Sequence, residues 1–165
     1  MIPEIDALAA ELVAMLQAQG WSFATAESCT GGAISQAVIS VAGCSSVMRG
    51  AVVAYHNDVK EKVLGVSGEV LATYGAVSEE TVVQMVDGVS ALMGADCAVA
   101  TSGIAGPGGG TPEKPVGTVW LAAKVGGVVK TRLLSLEDHG RASNIMSTVE
   151  EALLLVIAML SDDKV

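Results

Sequence analysis

The feature that most constrains this chain is the stretch Thr25-Ala26-Glu27-Ser28-Cys29-Thr30-Gly31-Gly32. A short apolar run, Trp21-Ser22-Phe23-Ala24, precedes it, and Ala33 to Ile39 follows with apolar residues at helical spacing. That order reads as strand, tight turn, helix. A small nucleophilic side chain then stands where a strand ends and a helix begins. Two glycines let the backbone turn sharply and let a ligand come close. The N–H groups of the helix's first turn offer a site for an anion or a developing oxyanion. Taken alone, the pattern also describes a plain helix cap, since Ser and Thr cap helices with or without a function.

The rest of the chain repeats the theme. Ile5, Leu8, Ala9, Leu12, Val13 and Leu16 recur at helical spacing and stop at Gly20, which predicts an amphipathic leading helix. Val41 to Ser46 reads as a loop and Met48 to Tyr55 as a strand, closed by His56-Asn57-Asp58. Asp58 is the expected cap of a helix over Val59 to Leu64, stopped by Gly65. Val66 to Val77 reads as a loop with one helical turn. Ser78 caps the next helix, whose buried face runs from Val82 to Leu92 before Gly94. A strand over Asp96 to Ala100 leads into the glycine-rich segment 101–115. Val116 to Lys124 and Val128 to Leu136 flank Gly126-Gly127 as a hairpin, and Arg141 opens the last helix. Helices alternating with strands, then a hairpin, predict a single three-layer α/β/α sandwich over residues 1–165 with a mixed sheet.

Composition narrows the function classes. In 165 residues, 51% are apolar and 3% aromatic, so small methyl-bearing side chains must fill the core. The net charge is −9 and the nine Lys and Arg form no cluster, which argues against a nucleic-acid partner. Three cysteines and two histidines without ligand spacing make no metal set, and reduced thiols suit the cytoplasm. The N-terminus lacks the pattern of a signal peptide, and the longest apolar run, Ala152 to Leu160, is too short to span a bilayer.

Ligands of open α/β sheets bind beyond the carboxyl ends of strands, and three loops qualify: after Ala26, after Tyr55 and after Ala100. Segment 101–115 is no Walker loop, because Lys114 sits between Glu113 and Pro115. Prolines 107, 112 and 115 stiffen its glycines into a shaped binding loop. If Ser28 is a nucleophile, the candidate bases are His139 beside Asp138, and Lys60. A lysine serves only if burial or neighbours depress its pKa. Spacing alone does not separate Lys60 from Lys62.

Five motifs in order resemble the CinA C-terminal domain family: Ala26-Glu-Ser-Cys-Thr-Gly-Gly, Tyr55-x-Asn-x-x-Lys60, Gly75-Ala-Val-Ser-Glu, Ser102-Gly-Ile-Ala-Gly-Pro-x-Gly-Gly, and Lys114-Pro-Val-Gly-Thr-Val-Trp120. The resemblance covers about Ile5 to about Leu160. Its enzymatic members are nicotinamide-nucleotide amidases, which implies hydrolysis of the carboxamide of nicotinamide mononucleotide without metal or organic cofactor. The resemblance makes Ser28 the nucleophile, Lys60 its base and Tyr55 a further catalytic residue. Substrate contacts are expected from Thr30, Gly31, Gly32, Asn57, Ser102, Gly103 and Arg141. Tyr55 and Asn57 are expected to orient the Lys60 amine, with Arg141 nearby lowering its pKa. In one place the sequence departs from its relatives. Where they carry Gly-Asp-Arg and further arginines one turn on, it has His139-Gly140-Arg141, then Ile145 and Met146. The expected partner is a small nucleotide, with neither nucleic acid nor membrane, and a homo-oligomer is left open. Two other readings compete: Cys29 as a low-pKa thiolate nucleophile at a helix N-terminus, and a nucleotide-binding regulatory module without turnover.

Overall fold

The structure, a computed structural model, describes residues 3–162. Five strands form one sheet: β1 (Phe23–Glu27), β2 (Met48–Val53), β3 (Cys97–Gly103), β4 (Thr118–Val125) and β5 (Val128–Ser135), in the order β2-β1-β3-β4-β5. The first three are parallel, β4 runs antiparallel to β3, and β5 antiparallel to β4. The helices are α1 (Pro3–Gln19), α2 (Ala33–Ile39), α3 (Asn57–Leu64), α4 (Gly68–Tyr74), α5 (Glu79–Met93) and α6 (Arg141–Asp162). This is the expected α/β fold with a mixed sheet.

Each face of the sheet carries its own core. On one, α1, α2 and α6 enclose Leu12, Leu16, Phe23, Ile34, Leu121, Leu153 and Leu160. On the other, α3 and α5 cover Ala24, Ala26, Ala98, Ala100 and Ala122 with Leu64, Val82, Met85 and Val89. All five residues of β1 are buried, as a central parallel strand covered on both sides requires. The alanine face lets α5 lie close, and Gly88 brings it closer still to α3. A Cβ at Gly88 would stand 1.9 Å from the Leu64 carbonyl oxygen. Gly88→Ala is therefore expected to destabilise the fold by about 2–3 kcal/mol through overpacking. Urea unfolding measures it, and a loss under 0.5 kcal/mol would contradict the close contact.

Four local expectations need correction. His56, not Asp58, caps α3, because its Nδ1 accepts the Asp58 N–H at 3.2 Å and frees Asp58 to pair with Lys62 at 3.6 Å. The loop predicted over Val66 to Val77 contains α4, a two-turn helix capped by the Ser67 side chain. β2 stops at Val53, short of Tyr55, while β3 continues past Ala100 to Gly103, held by its pairing with β4. Finally, an unbroken apolar run is too narrow a test for α6. Its 22 residues are long and apolar enough to cross a bilayer by length and composition, but here Val149, Leu153, Val156 and Leu160 lie in the core between sheet and α1.

Candidate active site

The Ser28 turn is built around a buried carboxylate. The Ser28 N–H donates to the Thr101 carbonyl at 3.0 Å, which carries the β1–β3 pairing one residue past the strand end. Gly31 and Gly32 then adopt positive φ, +60° and +99°, to swing the chain into α2. Glu27, fully buried, accepts four hydrogen bonds: from Thr25 Oγ1 (2.9 Å), Thr30 Oγ1 (2.8 Å), the Ile34 N–H (2.9 Å) and the Ser35 N–H (3.0 Å). The N-terminus of α2 is thus occupied from within, a correction to its expected role as an open anion site. The Gly31 N–H is also committed, to the Ser28 carbonyl at 3.1 Å. Among the described residues, the N–H groups of Thr30 and Gly32 have no acceptor.

Lys60 reaches this turn from α3. It is 1% exposed, one of the largest fully buried side chains, and its Nζ lies 3.2 Å from Ser28 Oγ. Nζ also donates to the carbonyl oxygens of Ala54 (2.9 Å) and Tyr55 (3.2 Å). Among the described residues no carboxylate pairs with it, and burial holds its pKa below the ordinary lysine value. Nζ thus faces three oxygens, the two carbonyls and the Ser28 hydroxyl, and once deprotonated it turns a lone pair to the hydroxyl while keeping two N–H groups for the carbonyls. Lys62, two residues on, points to solvent, as helical geometry requires.

The expected helpers of Lys60 act differently from prediction. Tyr55 positions the amine through its carbonyl, while its phenol is exposed and accepts a bond from Arg141 Nη2 at 3.0 Å. Asn57 is exposed and makes no hydrogen bond to Lys60. Arg141 does not depress the lysine: its other bond runs to the Gly106 carbonyl at 2.8 Å, and desolvation is the cause of the shift. Cys29 is buried, and that burial pushes its thiol up to about 11, opposite to the lowered value its place beside a helix start predicts. His139 faces solvent beside Glu137 at 3.4 Å.

The glycine-rich loop closes the site from β3. Ser102, buried, stands directly opposite Trp120, and Gly103 opposite Val119. A Cβ at Gly103 would lie 2.5 Å from Val119 Cγ2, so only glycine fits there. The loop is anchored by α6: Arg141 holds the Gly106 carbonyl, and the buried Asn144 amide donates to the Ala105 carbonyl (3.1 Å) and to Asp138 (3.0 Å). Ser28, Lys60, Tyr55, Ser102, Gly103 and Arg141 therefore gather at the carboxyl end of the internal strands β1 and β3, with Thr30, Gly31 and Gly32 in the turn itself. Sequence reasoning missed the roles of Glu27 and Asn144. A carboxylate inside an apolar central strand, and an amide one turn beyond Arg141, were the available signals. Among the described residues, no group of three or more His, Cys, Asp or Glu side chains is placed to hold a metal ion.

Residues 5–160 match the model of the CinA C-terminal domain, and the chain belongs to that family. A CinA-like protein of Cytophaga hutchinsonii is 46% identical over 161 residues, 98% of this chain and 38% of its own length. The chain thus spans well under half the length of that relative. The protein named nicotinamide-nucleotide amidohydrolase PncC from Enterobacter agglomerans is 50% identical over 127 residues, 76% of this chain and 77% of its own. The crystal structure of the competence/damage inducible protein CihA from Agrobacterium tumefaciens superposes with a TM-score of 0.95 at 43% identity, covering 98% of each chain.

Proposed function

We propose that this chain is an amidohydrolase that releases the carboxamide nitrogen of nicotinamide mononucleotide as ammonia and leaves nicotinic acid mononucleotide. The observation that carries the reading is the Lys60 amine, buried and 3.2 Å from the Ser28 hydroxyl. The name of the Enterobacter agglomerans relative supports the substrate. An aromatic amide is a poor electrophile, so a covalent intermediate divides the difficulty. Ser28 Oγ attacks the carboxamide carbon as its proton passes to Lys60 Nζ. The oxyanion is met by the Thr30 and Gly32 N–H groups. Collapse of the tetrahedral adduct breaks the C–N bond, and Lys60 returns the proton to the leaving nitrogen, which departs as ammonia. Water, deprotonated by Lys60 in turn, cleaves the ester and restores Ser28. The test is ammonia release from nicotinamide mononucleotide: wild type turns over, and Ser28→Ala falls by about 10³ or more. A Ser28→Ala protein of near-normal rate would overturn the reading.

Arg141 is the cation of this site, and it meets the substrate phosphate. Arg141→Ala is expected to raise KM by about tenfold to a hundredfold, the loss of a charge-assisted contact. Arg132→Ala, which removes only the ion pair with Glu151 at 2.7 Å on β5, leaves KM near wild type. Equal kinetics for the two variants would contradict the assignment.

Cys29 is a packing residue in this mechanism. Its buried, high-pKa thiol resists alkylation at neutral pH, and Cys29→Ser keeps turnover within about tenfold. A folded but inactive Cys29→Ser protein would favour the thiol instead.

A further inference from the structure

Register places two residues in a row beside the proposed nucleophile. Glu27 pairs with Thr101, so Ser28 lies beside Ser102, and Ser102 is directly opposite Trp120. Opposed residues of an antiparallel pair share a face. That face is the alanine face, where Ala24, Ala26, Ala98, Ala100 and Ala122 alternate with the row and where α3 brings Lys60. Trp120 therefore stands about two strand spacings, ~10 Å, from the Ser28 backbone, with only the small Ser102 between them. Its ring is half-buried against the core, and the remainder walls a cavity of about 260 Å³.

The charges around that cavity select its occupant. Lys114 lines it, but its ammonium donates to the Tyr74 carbonyl at 2.8 Å, at the negative C-terminal end of α4. Glu79 and Glu80 leave the cavity with a carboxylate excess, and Tyr74 adds a second aromatic wall. Two aromatics with carboxylates suit a cationic ring and disfavour an anion, which leaves the phosphate to Arg141 at the Tyr55 side. A tryptophan face is the best side-chain partner for a cation.

We propose that Trp120 is the platform on which the N-alkylated, positively charged pyridine ring of the substrate stacks, and that it selects this ring over uncharged analogues. The inference rests on the function proposed above and deepens it. It makes Trp120 a specificity residue, distinct from the Ser28–Lys60 pair and from Arg141.

Two measurements test it. The first is kinetic: Trp120→Leu should raise KM for nicotinamide mononucleotide about tenfold, and Trp120→Phe about threefold, with kcat changed less. The reduced, uncharged dihydropyridine form should inhibit wild type about tenfold more weakly than the oxidised form binds, and Trp120→Leu should bring the two within about threefold. The second is optical. Trp21, the other tryptophan, packs at the opposite end of the sheet on the other face. In a Trp21→Phe, Ser28→Ala protein, nicotinamide mononucleotide should quench Trp120 emission saturably, without turnover. Ammonia release by wild type together with unchanged KM in the Trp120 variants and no quenching would overturn the inference and leave the proposed function standing. Quenching without ammonia release would overturn the function and keep the ring site; neither signal would overturn both. If Trp120→Leu does not fold, Trp120→Phe and the optical titration decide the matter.

Discussion

Lys60→Ala is expected to lower kcat for ammonia release by about 10³ or more, because nucleophile and base act as a unit. The variant keeps Ser28 but loses the one basic side chain within reach of its hydroxyl among the described residues. Lys62→Ala, His139→Ala and His56→Ala should each stay within about tenfold of wild type, as groups outside the reacting set. Lys62 and His139 face solvent, and His56 caps α3 with its ring while remaining exposed. His56→Ala should cost about 1 kcal/mol of stability through the lost cap, with turnover preserved. The wild-type kcat should rise with pH and level off. The protonated amine cannot accept the Ser28 proton, and burial moves its titration below the ordinary lysine range. A pH-independent kcat, or a histidine variant that abolishes turnover, would contradict the lysine mechanism.

Glu27→Ala is expected to lower folding stability by about 3–5 kcal/mol, the largest effect of any single truncation in the turn. Four buried donors lose their acceptor: the hydroxyls of Thr25 and Thr30 and the N–H groups of Ile34 and Ser35. Glu27→Gln keeps the volume and one oxygen but turns an NH₂ toward a donor, so it should fall between alanine and wild type. Glu4→Ala, at an exposed position in the first turn of α1, should change stability by less than ~0.5 kcal/mol. Urea unfolding of the three variants measures this. A Glu27→Ala protein within 1 kcal/mol of wild type would mean that the turn finds other partners.

The two effects separate what a sequence can and cannot announce. Periodicity and punctuation made most of the fold legible: Gly20, Gly65 and Gly94 end helices with positive φ, Ser78 caps α5, and Gly126-Gly127 turns the hairpin. The misplaced ends have local causes. Asp58 and His56 are both able to cap, and only the fold decides which side chain meets the N–H. β3 outruns Ala100 because β4 pairs with it through Gly103, a long-range contact that no local pattern encodes. The site was legible as a set of motifs, and the pairing of Ser28 with Lys60 rather than Lys62 rests on which side of α3 faces the sheet. Three finer points lay beyond reach. They are the burial that raises the Cys29 thiol, the occupation of the α2 N-terminus by Glu27, and the bond of Arg141 to the Tyr55 phenol. Each depends on side chains brought together from distant positions.

The most direct test of the Ser–Lys amidase account is intact-protein mass spectrometry during turnover of nicotinamide mononucleotide, with peptide mapping of any adduct. Deacylation needs Lys60 as much as acylation does, so the wild-type enzyme, quenched in acid during steady state, is the protein to sample. The account predicts an ester on Ser28 whose mass is that of the substrate less ammonia, absent from Ser28→Ala and unaffected by Cys29→Ser. An adduct on Cys29, or turnover in Ser28→Ala with ammonia released at the wild-type rate, would contradict it.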